Sequence, residues 1–413
     1  MSVSLAPSCH PGEAGPAEGQ TTGWVGGSAM ATAIRNPRAT RRNGSVKIAL
    51  VTYSTKPRGG VVHTLSLAEA LVGLGVEVDV WALGRGGDRT FFRRVDSRVC
   101  VRVVPYLGVE GEAFGERVLR SIMILRGAFE SDGYDIVHAQ DCISANAVGS
   151  CVRTVHHIDQ FSTPELAACH ERAIVEPWAH VCVSRAVAGE LAEGWGISAR
   201  VIPNGVEAER FAAAASDDPD AVAARGRWQE RLGAYILAVG GIEPRKGSMD
   251  LLESYARFAE ERGSSGVRLV VAGGDTLFDY RGYRAEWEIR AKELGVEPLV
   301  LGPVGHEELP ALVAGAAVFA FPSVKEGFGL AAMEALAAGV PVVTRDLPVF
   351  REVFGDSALF ADDISGFAER YRDAIEQPDP DRAAAGRELA FRHTWKAAAQ
   401  AHLDLYRELR TSR

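Results

Sequence analysis

No stretch of this chain holds the roughly 18 consecutive apolar residues that span a bilayer, so no transmembrane helix is expected. No C-x-x-C pair or zinc-type spacing occurs among Cys9, Cys100, Cys142, Cys151, Cys169 and Cys182. Four of the six cysteines sit in apolar or strand-like settings and read as reduced core residues of a cytoplasmic protein. A basic excess is missing too: the formal net charge is −9, which argues against a general nucleic-acid binder. The dinucleotide fingerprint G-x-G-x-x-G, which must follow a strand, is absent. Double glycines at 59–60, 240–241 and 273–274 follow strands without that spacing, and Gly73 and Gly75 close a helix. A nicotinamide enzyme is therefore not expected. The closely spaced pairs Asp218/Asp220 and Asp379/Asp381 fall in proline-interrupted linkers rather than at strand ends, so no metal site is expected. Residues 1–45 have few large apolar side chains, lack periodicity and the apolar core of a secretory signal, and are expected to be disordered.

What remains is an ordinary globular composition, 47% hydrophobic and 24% charged over 413 residues, long enough for two or three domains. Short apolar runs such as KIALVTYS (47–54), VEVDVWAL (76–83), DIVHAQ (135–140) and HVCVS (180–184) alternate with helix-periodic segments. KPRGG, after the first run, reads as a loop ahead of such a helix. Residues 212–234 break the rhythm, and it restarts with YILAVGG (235–241) and continues to VPVVT (340–344). Alternation of this kind predicts parallel strands with crossover helices. The expected fold is α/β, two Rossmann-like domains facing a central cleft. The expected divisions are 46–210, 211–390 and a final helix, 391–413, that crosses back to the amino-terminal domain.

The most informative stretch is EGFGLAAMEALAAGVPVV (326–343). Pro322 and Gly327 frame a loop after a strand, and residues 329–338 are helix formers closed by Gly339. Glu326 then precedes the helix, whereas Glu334 lies on it. Gly327 and Gly329 leave the amides of Phe328, Gly329 and Leu330 open at a helix N-terminus, a setting that favours a pyrophosphate. Carboxylates beside it repel phosphate but accept hydrogen bonds from sugar hydroxyls. A pyrophosphate flanked by two polyols describes a nucleotide sugar.

These residues resemble the donor-site signature of glycosyltransferase family four, whose members have the GT-B fold. VTYSTKPRGGVVHTLSLAEAL, TVHHID (154–159), VSRAVAGEL (183–191), VIPNGVEAERF (201–211), VGGIEPRKG (239–247) and LGPVGHEELPALVAGAAVFAFPS (301–323) follow in the family's order, covering residues 46–405. The resemblance implies that Glu334 binds the ribose and Glu326 the transferred sugar, with Phe328, Gly329 and Leu330 amides on the diphosphate and sugar. It implies Lys246 on the diphosphate, His156 against the donor sugar, Gly59 and Gly60 close to the diphosphate, and backbone near Val304 at the base. It implies retention of anomeric configuration by same-face attack, with the nucleotide sugar as co-substrate and no metal or other cofactor.

One position departs from the pattern. The family usually carries arginine after V-G at the end of this strand, where the chain has Gly241; Arg245, in the same loop, is the candidate replacement. Two alternatives stay open: a nucleotide-sugar-binding protein without transferase activity, and a sugar phosphorylase of the same fold, which needs covalent pyridoxal phosphate. The expected partners are a nucleotide-sugar donor and a hydroxyl acceptor, with no nucleic acid and no protein partner implied. The arginine-rich stretch 85–102, with Phe91 and Phe92, is the candidate for a weak contact with the inner membrane face or with a charged acceptor.

Overall fold

The computed structural model describes residues 46–411 apart from 160, 162, 262–265 and 274–279; the segment 1–45, expected to be disordered, lies outside the described residues. The chain builds two parallel sheets in succession. The first contains β1 (Lys47–Thr52), β2 (Glu77–Arg85), β3 (Cys100–Tyr106), β4 (Ile136–Ala139), β5 (Val152–Val155), β6 (Ala179–Cys182) and β7 (Arg200–Val201). Its crossovers are α1 (Gly59–Gly73), α2 (Phe114–Ala128), α3 (Cys142–Val148), α4 (Pro164–Val175) and α5 (Arg185–Trp195). Helices α6 (Ala208–Ala214) and α7 (Pro219–Leu232) lead to the second sheet. That sheet contains β8 (Ala234–Val239), β9 (Val267–Ala272), β10 (Leu299–Gly302), β11 (Val318–Phe321), β12 (Val342–Arg345) and β13 (Leu359–Ala361). Around it lie α8 (Ser248–Glu261), α9 (Arg281–Glu293), α10 (Leu309–Ala314), α11 (Leu330–Ala337), α12 (Pro348–Phe354), α13 (Ile364–Glu376) and α14 (Pro380–Arg392), before the closing helix α15 (Trp395–Thr411).

Strand order is β3-β2-β1-β4-β5-β6-β7 in one sheet and β10-β9-β8-β11-β12-β13 in the other, the doubly wound arrangement in which order reverses beside the first strand. Strands such as KIALVT are apolar on both faces because helices cover both, and Ile48 to Val51 have no exposure. The reversal points, β1/β4 and β8/β11, are where neighbouring crossovers diverge and leave a crevice at the carboxyl ends of the strands.

Three local readings change. Gly59 and Gly60 open α1 directly behind its N-cap residue Arg58, rather than forming a loop. The arginine-rich stretch 85–102 holds the end of β2 and the start of β3, which pair along seven residues, Asp79↔Cys100 to Arg85↔Tyr106. The expected boundary at 210/211 falls inside α6, whose Ala208 and Phe211 pack with Leu312, Met333 and Leu336 of the second half. The rhythm breaks over 212–234 because this segment is mostly helix α7.

Three features couple the halves. Helix α15 returns to the first sheet and buries Ala398, Ala399, Leu403 and Tyr406 among Ile48, Leu50, Leu65 and Val152. The Tyr406 hydroxyl meets His138 Nδ1 at 2.6 Å, and Thr154 Oγ1 meets His138 Nε2 at 2.7 Å. Glu352 of α12 accepts the Arg185 and Ala186 amides at 2.8 and 2.9 Å, so a carboxylate from one half caps α5 of the other.

The α1–α15 layer encloses four histidines, His63, His138, His156 and His402, each held neutral by burial; His402 falls to about 4 and His156 to about 3. The folded state thus excludes protons that the unfolded chain binds below pH 6.5. Stability should fall as pH drops from 6.5 toward 4.5, with each excluded proton contributing up to about 1.4 kcal/mol per pH unit. His402→Met should flatten that fall in thermal melts; curves parallel to the parent's would contradict the burial argument.

Candidate functional site

In the second half, β8 and β11 are neighbours at the reversal point, and their following loops, 240–247 and 322–329, face each other. A single helical turn, Pro244–Lys246, ends at Gly247 with φ +64°. A Cβ on Gly247 would lie 2.2 Å from the Pro322 carbonyl oxygen, so only glycine lets the loops close together. The Val324 amide then donates to the Arg245 carbonyl at 2.9 Å. This contact sets Arg245 and Lys246 opposite Glu326.

Glu326 Oε1 accepts from Lys246 Nζ at 2.5 Å and from Arg245 Nη1 at 2.8 Å. Arg245 also donates to Glu243 Oε1 at 2.9 Å and to the Lys325 carbonyl at 3.2 Å. Burial would raise the Glu326 carboxyl, but the two cations win and hold it at about 2, so it is ionised at neutral pH. The ammonium lies 5.3 Å from the Phe321 ring centre, and the recess beside it is lined by Gly240, Gly241, Ile242 and Ser323. One carboxylate thus fixes two cations while the ammonium keeps N–H groups for another acceptor.

Helix α11 begins just beyond. Gly329 is its N-cap residue at φ +92°, and the amides of Phe328, Gly329 and Leu330 donate to no partner among the described residues. The carboxylate of Glu334, half-buried on α11, makes no hydrogen bond or ion pair with the described residues. Burial, reinforced by the charge of Glu207 and opposed by Arg210, pushes its carboxyl up to about 8. The two glutamates of one motif are therefore tuned in opposite directions by their surroundings.

The first half meets this loop at the end of β5. A Cβ on Gly327 would lie 1.6 Å from the His156 carbonyl oxygen, so the backbones of the two halves touch there. The His156 ring packs edge-on against His63, with centroids 4.8 Å apart, and its Nε2 is buried without a partner among the described residues. Gly60 places α1 beside the ring: a Cβ there would lie 3.7 Å from Nε2. Burial, then the neighbouring His157 and Arg153 charges, lowers His156 to about 3, leaving a neutral imidazole. His157, the other histidine of the pair, turns to Asp159 at 3.2 Å.

Glycosyl transferases group 1 is the description of a family model matching residues 228–389, and Glycosyltransferase Family 4 is that of a second model matching 57–210. The chain belongs to glycosyltransferase family 4. It is 28% identical over 387 residues to a phosphatidyl-myo-inositol mannosyltransferase of Mycobacterium leprae, covering 87% of this chain and 96% of that one. The identity is also 28% over 414 residues with a D-inositol 3-phosphate glycosyltransferase of Corynebacterium aurimucosum, with the same coverage. Sucrose-phosphate synthase of Thermosynechococcus elongatus superposes with a TM-score of 0.72 at 19% identity, covering 89% of this chain and all of that one. Anabaena HepE, solved with UDP-glucose, gives 0.66 at 19% identity over 89% of this chain and all of the other. These neighbours show the fold, which is GT-B. As in other GT-B proteins, two Rossmann-like domains face a cleft.

Glu326, Lys246 and Arg245 come together within the second half of this family member, Phe328, Gly329, Leu330 and Glu334 follow on the same loop and helix, and His156 and Gly60 border the loop from the first. Gly59 is exposed at the start of α1. Val304 is half-buried beyond β10, in the segment that leads to His306, whose carbonyl accepts from Arg210. Sequence reading missed Glu243, which shares Arg245 with Glu326; its signal was EPRK, a carboxylate two residues ahead of a cation pair. It missed the capping roles of Asp218 and Asp379, which accept from backbone amides at the starts of α7 and α14. Each precedes proline, a helix-start signal. Three arginines of the arginine-rich stretch are ion-paired: Arg93 with Glu69, Arg98 with Asp96 and Arg102 with Asp79.

Glu326→Gln removes one negative charge from a site with two fixed cations. It should tighten binding of a nucleoside diphosphate such as UDP by up to about tenfold in calorimetry. Weaker binding would show that Glu326 is needed chiefly to hold the cations in place.

Proposed function

We propose that the protein is a retaining glycosyltransferase that moves a sugar from a nucleotide-diphosphate sugar to a hydroxyl group of an acceptor. The observation that carries this reading is the convergence of Lys246, Arg245 and the free α11 amides beside two carboxylates, one strongly ionised and one without a partner. In this reading Lys246, Arg245 and the amides of Phe328, Gly329 and Leu330 hold the diphosphate. Negative charge grows on the leaving phosphate as the glycosidic bond breaks, and a preorganised cation favours the transition state. Glu334 accepts from the ribose hydroxyls and Glu326 from the sugar hydroxyls. Gly59 and Gly60 let α1 approach the diphosphate, and backbone near Val304 meets the base.

His156, neutral and with no partner for Nε2 among the described residues, serves as a hydrogen-bond partner of the sugar. It is too weak a base at about 3 to carry the reaction's proton. The proton of the attacking hydroxyl passes instead to the departing phosphate oxygen on the same face, as the new bond forms and the old one breaks. All the charge stabilisation invoked comes from side chains and amides, so the reading calls for no metal or further cofactor. Arg245 supplies the guanidinium that Gly241 does not.

The family relatives named above act on inositol-based acceptors by their names, which supports a hydroxyl-bearing acceptor of polyol type. Cys151, Cys169 and Cys182 are free and buried, which fits a reducing compartment, and we place the protein in the cytoplasm. No helix among the described residues is long and apolar enough to cross a membrane. Within 85–102, the side chains of Arg89 and Arg94 are exposed and make no ion pair among the described residues, enough for a weak contact with an anionic membrane surface.

The carboxyl of Glu334 supplies the test. A nucleotide sugar titrates no group of its own between pH 6 and 8, so its affinity should follow ionisation of Glu334. Affinity should fall as pH drops below about 8, by up to tenfold per unit, and the dependence should vanish in Glu334→Gln. Parallel pH profiles would remove Glu334 from the donor site. Release of nucleoside diphosphate by the purified protein separates transfer from binding alone.

A further inference from the structure

The second half contains a pocket of about 300 Å³ that takes no part in the donor site. It lies at the amino ends of β12 and β13, between the carboxyl ends of α11 and α13 and the first turn of α14. Lys246 and Glu326 belong instead to the loops that leave the carboxyl ends of β8 and β11. Helix α11 runs between the two places. Its free amides stand at one end and the pocket at the other, about 12 Å away at 1.5 Å per residue.

The floor of the pocket is apolar, formed by Leu336, Val340, Pro341 and Leu359. None of the described lining residues is aromatic, so the pocket offers no ring on which a nucleobase could stack. Its charged groups come as two pairs, Arg370 with Asp373 at 2.6 Å and Arg382 with Asp379 at 3.4 Å. The charges of the lining therefore cancel, and an ionic ligand would have to take a partner from one of these pairs. Arg387 stands at the margin, where a Cβ on Gly339 would lie 2.1 Å from its Nη1.

Ser357 adds the decisive observation. It is 8% exposed and lines the pocket, and its hydroxyl makes no hydrogen bond with any described residue. A hydroxyl removed from bulk water without a partner is unfavourable, and a ligand that hydrogen-bonds to it recovers that loss. Sugars and polyols match this lining. Neighbouring hydroxyls donate to a carboxylate and accept from a guanidinium without separating the pair, while the C–H face of the ring covers an apolar floor. The volume falls at the lower end of small-molecule sites, on the order of 300–1,000 Å³, which suits a single ring.

We propose that this pocket is a second carbohydrate site, which binds a neutral sugar or polyol away from the cleft. It rests on the pocket's own lining and stands apart from the donor reading. Saturation-transfer NMR on the whole protein, with methyl α-D-mannopyranoside and methyl α-D-glucopyranoside at about 10 mM each, provides the test. The parent should show transfer to at least one glycoside, and excess UDP should leave the signal unchanged. Ala383→Trp, which carries an indole into the pocket from α14, should abolish the transfer. Ser357→Ala should weaken binding by about threefold to tenfold. Both variants should bind UDP as the parent does. An undiminished signal in Ala383→Trp, its loss on adding UDP, or no transfer to either glycoside overturns the proposal. Displacement of the glycoside by inorganic phosphate at constant ionic strength overturns it too, because the arginines would then be reading an anion. If Ala383→Trp melts well below the parent, Ser357→Ala decides in its place, and parent-like affinity there overturns the proposal.

Discussion

The bond between Glu326 and the cation pair Arg245–Lys246 organises the second half of this protein. It joins the loop after β8 to the loop after β11, across the point where strand order reverses. Two cations on adjacent residues repel each other, and a shared buried carboxylate makes their proximity tolerable. With Glu243 on the far side of Arg245, the group is a chain of alternating charge, Glu243–Arg245–Glu326–Lys246. The arrangement preorganises the ammonium beside the free amides of α11, so little reorganisation remains when an anion arrives.

The same loop bears on the first half. Gly327 touches the His156 carbonyl, Lys325 pairs with Glu190 of α5 at 3.6 Å, and Glu352 caps the start of α5. These contacts bring a neutral histidine to the edge of a strongly charged pocket. Helix α15 makes the return crossing behind them. A cleft lined by two sheets thus has one half that supplies a fixed cation pair and another that brings a neutral histidine up to it.

Much of this was legible from residue order. Parallel α/β halves follow from the alternation of apolar runs and helical segments, and the placement of Glu326 before α11 follows from Gly327 and Gly329. What escaped has physical causes. The strand at Cys100–Tyr106 carries Arg102 and sits at an edge, exposed on much of its surface, so its apolar signal is weak. The opposite tuning of Glu326 and Glu334 depends on partners 80 residues and more than 120 residues away, which no local pattern contains.

The central claim is that the free amides of α11 and the ammonium of Lys246 form one diphosphate cradle. A crystal structure with a bound nucleoside diphosphate tests it most directly. The account predicts phosphate oxygens within hydrogen-bond distance of Lys246 Nζ and of the Gly329 or Leu330 amide, with the ribose at Glu334. A nucleotide seated elsewhere in the cleft, with Lys246 still bound only to Glu326, would contradict it.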